Sequence, residues 1–225
     1  MTRGTVIASV ILMLGAPIGA NAQDLKGYVA AYGGLSMLQD NTIEVIDYVG
    51  GPVAQTFFLD YDRGVAFGFM AGRQLSNNFR LGLEIAHRTG ALETLTSPGN
   101  IIPETYEFKT SATALLGEVF FDLPGQHGYV PYVGVGAGIG RVKTSGALIP
   151  DDSGFHYGEV GQSGLAYIFH AGLSKPVSAT LDLTFGYSYL QVTGIDEVIS
   201  TEGWADKLGK DFGAHALALG VTMKF

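Results

Sequence analysis

Eight stretches of this chain alternate apolar residues with small or polar ones, and the connections between them alternate between short and long. The stretches run over 27–38, 63–75, 79–90, 108–123, 129–143, 162–175, 179–193 and 212–225. A period of two marks a β-strand with two unlike faces. Three connections are short: Ser76-Asn77-Asn78, Pro124 to Gly128, and Pro176-Val177-Ser178. Four are long, near 39–62, 91–107, 144–161 and 194–211. Short turns at one end and long loops at the other predict an all-β fold, an eight-stranded antiparallel transmembrane β-barrel. An even strand number also brings both ends of that barrel to the short-turn side.

The two faces differ enough to say which points inward. Over 79–90, Leu81, Leu83 and Ile85 alternate with Arg80, Gly82, Glu84, Ala86 and Arg88. Over 179–193, Leu181, Leu183, Phe185, Tyr187 and Tyr189 alternate with Asp182, Thr184, Gly186 and Ser188. A water-soluble barrel would turn its apolar face inward. Here that would put Arg80 and Glu84 outside, and an Arg or Lys facing lipid near the midplane costs about 2–4 kcal/mol. The polar, glycine-rich face therefore lines the lumen. An eight-stranded lumen is only just wide enough for side chains. Gly134, Gly136, Gly138 and Gly140 make room in it for long side chains from other strands.

The charges predicted to share that lumen are Arg80, Glu84, Arg88, Glu118, Asp122, Asp182 and Lys224, with His170 near them by parity. Buried charges persist when paired with opposite ones, so the expectation is an ion-paired plug that fills the barrel. The competing readings are a polar pore and a buried acid/base site.

Charge and composition restrict partners. The chain has 225 residues, enough for one domain, and no cysteine, so neither a disulfide framework nor a thiolate metal site is available. No cofactor is expected. Formal net charge is −8, which argues against nucleic acid as a partner. Sixteen of the 21 acidic residues fall in the long connections, opposed there by Lys207 and Lys210. Asp151 with Asp152, and Asp60 with Asp62, offer oxygen ligands suited to Ca²⁺ or Mg²⁺. No EF-hand spacing accompanies them, and a solvated acidic surface explains the same residues. Ile43, Val45, Ile46, Phe57, Phe58, Leu148, Ile149 and Trp204 either form a binding rim or pack the connections together.

The first residues read as an address. Arg3 is a positive n-region, Val6 to Leu14 is a short apolar core, and Ala20-Asn21-Ala22 is an A-x-A cleavage site. Residues 1–22 are thus expected to be a signal peptide, and 23–225 a single barrel domain. No stretch approaches the ~18 consecutive apolar residues of a membrane helix.

The last strand carries the same alternation to its end: Leu217, Leu219, Val221, Met223 and Phe225 face one way, Ala216, Ala218, Gly220, Thr222 and Lys224 the other. That ending resembles the outer-membrane β-barrel family related to the OmpA transmembrane domain and to opacity-type surface proteins. Tyr132-Val133-Gly134-Val135-Gly136-Ala137-Gly138, Ala166-Tyr167, Ala171-Gly172-Leu173 and Gly186-Tyr187-Ser188-Tyr189 carry the same resemblance. It covers the chain after residue 22. Two positions depart from it. Ser188 stands where many relatives have an arginine between two tyrosines, which puts an interior ion pair in question. Met223 stands where relatives often have an aromatic residue.

The resemblance implies location in the Gram-negative outer membrane, with membrane lipid as surroundings. It implies that the barrel-assembly machinery reads Phe225 as an insertion signal. The function expected is a surface or structural barrel, not an enzyme, which displays acidic extracellular loops for envelope integrity or surface interaction. The alternatives are a narrow porin-like channel and a small hydrophobic-ligand transporter. An extracellular or host ligand is not identified by any motif. A lipid-modifying enzyme is a further reading: lipid A deacylases of similar size carry a His two residues before a Ser. None of His87, His127, His156, His170 or His215 has a Ser there.

Overall fold

The computed structural model describes residues 27–39, 41–47, 53–97, 100–102, 109–151, 154–195, 197–201, 204–208 and 211–225. The expected signal peptide lies outside them. The strands are β1 (Gly27–Leu38), β2 (Asn41–Asp47), β3 (Val53–Tyr61), β4 (Gly64–Gln74), β5 (Phe79–Ser97), β6 (Asn100–Ile102), β7 (Lys109–Asp122), β8 (Val130–Asp151), β9 (Gly154–Pro176), β10 (Leu181–Thr193), β11 (Glu197–Thr201), β12 (Trp204–Leu208) and β13 (Phe212–Lys224).

Eight of these close into an antiparallel barrel in the order β1, β4, β5, β7, β8, β9, β10, β13. Closure is made by β1 on β13, in register from Tyr28 with Lys224 to Leu38 with Ala214. Gly27 and Phe225 seal the seam with two backbone bonds, N–H to C=O in each direction, both 2.9 Å. All eight predicted segments are present. The β9–β10 turn sits at 177–180 rather than 176–178, because Pro176 still pairs with Asp182 and β10 starts at Leu181.

Every barrel pairing joins residues of like parity, even with even and odd with odd, so sequence parity alone sets facing. Even residues point into the lumen and odd ones outward. The outer wall is apolar, with Leu35, Phe69, Ile85, Val135, Ile139, Phe185 and Leu219 all more than half exposed. From Leu217 to Phe225 the outward apolar positions of β13 span roughly 20–25 Å along the barrel axis, near the ~25 Å band a bilayer requires. Outward aromatic and imidazole groups cluster toward the rims. Tyr187 and His215 hydrogen-bond at 2.7 Å, with Tyr189 stacked on His215 at 4.8 Å, and Phe79 meets Phe121 at 5.0 Å on the short-turn side.

The described parts of the long connections are largely strand-paired. Beyond the barrel, β11, β12, β2 and β3 form a further antiparallel sheet that joins the distal half of β5, which also pairs β6. The β8–β9 hairpin also continues past the barrel, from Ser145 with Glu159 to Asp151 with Gly154, through a register shift between Ser145 and Ala147. The pairing of β2 with β12 links the first long connection to the last, a long-range contact that no single segment encodes. Asp152 lies outside the described residues, and so do the side chains of Asp60 and Asp151, so the suggested cation pairs have no geometry to report.

Room, not flexibility, explains most of the lumen glycines. A Cβ on Gly134 would strike the Phe120 ring at 2.4 Å, one on Gly136 the Glu118 Cγ at 2.6 Å, and one on Gly140 the Val192 methyl at 2.6 Å. Gly138 differs: its Cβ would lie 1.9 Å from the Leu115 carbonyl oxygen, so backbone itself is in the way. At the short β7–β8 turn, His127 and Gly128 both have positive φ, 54° and 79°, as a two-residue hairpin loop between Gln126 and Tyr129 requires.

Gly138→Ala is therefore expected to destabilise the barrel by about 1–3 kcal/mol or more. Gly117→Ala, on the outer face with no atom nearer than 3.9 Å to its added Cβ, should change stability by less than ~0.5 kcal/mol. Urea unfolding in detergent micelles measures both. Equal losses would remove the distinction between crowded and open glycines.

Candidate functional site in the barrel lumen

Three layers stack along the lumen. Nearest the short turns, Arg80 from β5 grips Asp122 from β7 with bonds of 2.8 Å from Nε to Oδ2 and 2.7 Å from Nη2 to Oδ1. Its guanidinium lies 4.9 Å from the Phe120 ring centre, 5.5 Å from Tyr132 and 5.6 Å from Tyr28. This arrangement satisfies the cation and screens it with aromatic faces. Lys224 Nζ pairs with Asp182 Oδ2 at 2.6 Å, and Ser174 Oγ donates to the same oxygen at 3.4 Å.

The middle layer holds Glu84, Arg88, Glu118 and His170. The side chains of both glutamates are fully buried, and so is Arg88. Tyr32 OH donates to Glu84 Oε1 at 2.5 Å. Arg88 Nη1 donates to Tyr32 OH at 3.1 Å, and Nη2 to Ser188 Oγ at 2.8 Å. A further bond ties Nη1 to the His87 carbonyl at 3.0 Å. His170 Nε2 lies 3.6 Å from Glu84 Oε2 and 3.4 Å from Glu118 Oε1.

The third layer, toward the long connections, is apolar. Leu38, Ala86, Ala112, Ala114, Leu116, Val142, Ala166, Ile168, Leu190, Val192, Ile195, Phe212 and Ala214 form one buried cluster, with Tyr61 packed against it. Below it a cavity of about 220 Å³ reaches from Asn77, Pro176 and Lys224 at the short-turn end up to Glu84 and His170.

The structure places all seven predicted lumen charges inside, and His170 with them. It does not pair them as one network. Arg80 with Asp122 and Lys224 with Asp182 are direct ion pairs, whereas Arg88 reaches Glu84 only through the Tyr32 hydroxyl. The missing arginine at Ser188 is supplied from another strand, since Arg88 on β5 donates to the Ser188 hydroxyl. Sequence reasoning missed Tyr32, which sits at an even position of β1 and was open to assignment by parity. It also missed the apolar layer, although Leu116, Leu190 and Val192 carry the same inward parity as the charges. Phe225 is exposed, with its ring against Gly27, where a Cβ would meet it at 2.5 Å.

A closed barrel of eight antiparallel strands, apolar outside and filled by side chains inside, is the fold of the small outer-membrane β-barrels. The outer membrane protein OprG from Pseudomonas aeruginosa superposes with a TM-score of 0.50 at 10% identity, over 88% of this chain and 96% of that one. Neisserial surface protein A (NspA) aligns with a TM-score of 0.49 at 16% identity, over 88% of this chain and 97% of that one. No protein-family model and no curated protein matches the chain.

Tyr32 and Ser188 share Arg88 as their partner. Tyr32→Phe and Ser188→Ala should each cost about 1.5–3 kcal/mol, the range for a hydrogen bond to a charged group. The double variant should lose less than the sum of the two, because the first change already frees the guanidinium. Strict additivity in a double-mutant cycle would show that the three groups do not act together.

Proposed function

We propose that this chain is a non-enzymatic barrel of the Gram-negative outer membrane that acts at its outer surface. Its lumen is a seal rather than a path, and its acidic extracellular connections serve envelope integrity or surface interaction. The observation that carries this reading is the apolar layer across the lumen. Water and ions entering from the short-turn end meet Leu116, Leu190 and Val192, all fully buried, above the charged layers. An ion at that level would lose its hydration with no polar group to replace it.

The paired strands beyond the barrel support the surface role. Among the described residues they pair into a sheet on the side opposite both barrel termini. Against an enzyme, His170 and Ser188 are cross-strand neighbours, yet His170 Nε2 turns to the two glutamates and Ser188 Oγ accepts from Arg88. The lumen hydroxyls that do meet a carboxylate, Tyr32 on Glu84 and Ser174 on Asp182, lack, among the described residues, the histidine relay of a nucleophile–base–acid triad.

In planar bilayers the purified protein is expected to show no steady open state. Leu116→Ala with Leu190→Ala and Val192→Ala should introduce ion leakage. Glu84→Ala with Glu118→Ala should leave conductance low while lowering stability, because the apolar layer remains. Well-defined wild-type conductance would favour the narrow-channel alternative. Orientation is checked on intact cells: a cysteine at Asp211 should react with an impermeant maleimide and one at Gln126 should not. The opposite result would invert the barrel.

A further inference from the structure

Two buried glutamates and one histidine converge in mid-lumen, and their hydrogen bonds do not account for them. Glu84, Glu118 and His170 each offer a ligand atom, all within 4.8 Å of one another. They come from β5, β7 and β9, with Glu118 lodged over Gly136. The contacts from His170 Nε2, at 3.4 and 3.6 Å, are longer than the ~2.7–2.9 Å of a charge-assisted hydrogen bond. They match the edges of a tetrahedron round an ion with ligand bonds of about 2.0–2.2 Å, roughly 3.3–3.6 Å.

A second observation is independent of those distances. Glu84 Oε2 and Glu118 Oε2 are buried with no hydrogen-bond partner. A buried carboxylate oxygen left without a donor is costly. The fixed cations nearby bond elsewhere, Arg80 to Asp122, Lys224 to Asp182, and the Nη groups of Arg88 to Tyr32, Ser188 and backbone carbonyls, its Nε having no hydrogen-bond partner. Four lumen carboxyl groups, Glu84, Glu118, Asp122 and Asp182, thus share the described lumen with three permanent cations, none of which bonds directly to Glu84 or Glu118.

We propose that Glu84, Glu118 and His170 form a binding site for one divalent transition-metal ion, with Zn²⁺ the fitting choice. Two carboxylate oxygens and one imidazole nitrogen suit zinc, which accepts three protein ligands and leaves a fourth position for water. The short-turn cavity, lined at its inner end by Glu84 and His170, provides both the route in and the room for that water. Tyr32, donating to Glu84 Oε1, holds the carboxylate so that its other oxygen faces the ion, the outer-shell support that metal ligands usually have. The ion cross-links three barrel strands from inside, where a rotation of either carboxylate closes the remaining distance.

The test uses the full-length protein refolded in detergent, stripped with chelator, and dialysed against Zn²⁺. One zinc per barrel is expected, with a thermal midpoint that rises as free zinc rises. Glu118→Gln and His170→Asn should abolish this uptake, and Tyr32→Phe should weaken it about 10–100-fold. Asp211→Asn, at the outer connections, should leave it intact. Replacement of zinc by Co²⁺ should give the absorption of a tetrahedral centre, a readout that needs only the wild-type chain. Absence of bound zinc in the wild type, or folded Glu118→Gln and His170→Asn variants with undiminished uptake, would overturn the site. So would a Co²⁺ spectrum typical of an all-water, octahedral ion. Bilayer conductance plays no part in these measurements, so the sealed-lumen reading stands or falls separately.

Discussion

Closure of the sheet on itself is the constraint from which the rest of this molecule follows. In a hydrocarbon environment an open strand edge leaves unsatisfied N–H and C=O groups, each costing several kcal/mol. Pairing β1 with β13, down to the reciprocal bonds between Gly27 and Phe225, removes both edges at once. Closure with only eight strands then fixes a narrow lumen. The narrow lumen in turn demands glycine under each large inward side chain, as with Gly134 under Phe120 and Gly136 under Glu118. The glycine content of the chain, 33 of 225 against a usual share of ~7%, follows in large part from geometry.

Much of this was legible in the sequence because a barrel strand writes its facing in a period of two. The eight strands, the three tight turns and the inward set from Arg80 to Lys224 all follow from that period. Three things did not. Strands β2, β3, β11 and β12 depend on pairing between the first and last long connections, and local propensity carries no signal for such a partner. The division of the lumen into charged and apolar layers depends on strand stagger, which brings Leu116 level with Leu190 rather than with its sequence neighbour Glu118. The role of Tyr32 between Arg88 and Glu84 depends on how far a guanidinium and a phenol reach, which parity does not encode. At Ser188 the substitution relative to the resembling family suggested a lost ion pair. The structure instead shows the cationic group arriving from β5.

The layering gives the two ends of the lumen different physics. The short-turn half is polar, holds a cavity, and can exchange water and solutes with the compartment below. The other half is a packed hydrocarbon core of the kind found in soluble proteins, with the outer sheet extending beyond it. On the proposed reading, the outer connections can vary without opening the barrel, since the apolar layer lies beneath them. The charged layers can likewise answer to the compartment below without any demand that matter cross. The proposed surface role and the proposed cation site are compatible in one barrel because the apolar layer lies between them.

Parity gives the barrel something like a reading frame. Because every barrel pairing joins residues of like parity, one inserted or deleted residue within a barrel strand would exchange the two faces for the rest of that strand. In β5, a shift of one after Leu81 would turn Glu84 and Arg88 toward lipid and bring Leu83 and Ile85 into the lumen. Changes of length are thus confined to the connections, or to paired changes that restore the frame. Point substitution is tolerated quite differently on the two faces: outward positions accept almost any apolar side chain, while inward ones answer to a specific neighbour across the lumen. Divergent descendants of such a barrel would keep their strand lengths long after their residues had ceased to match.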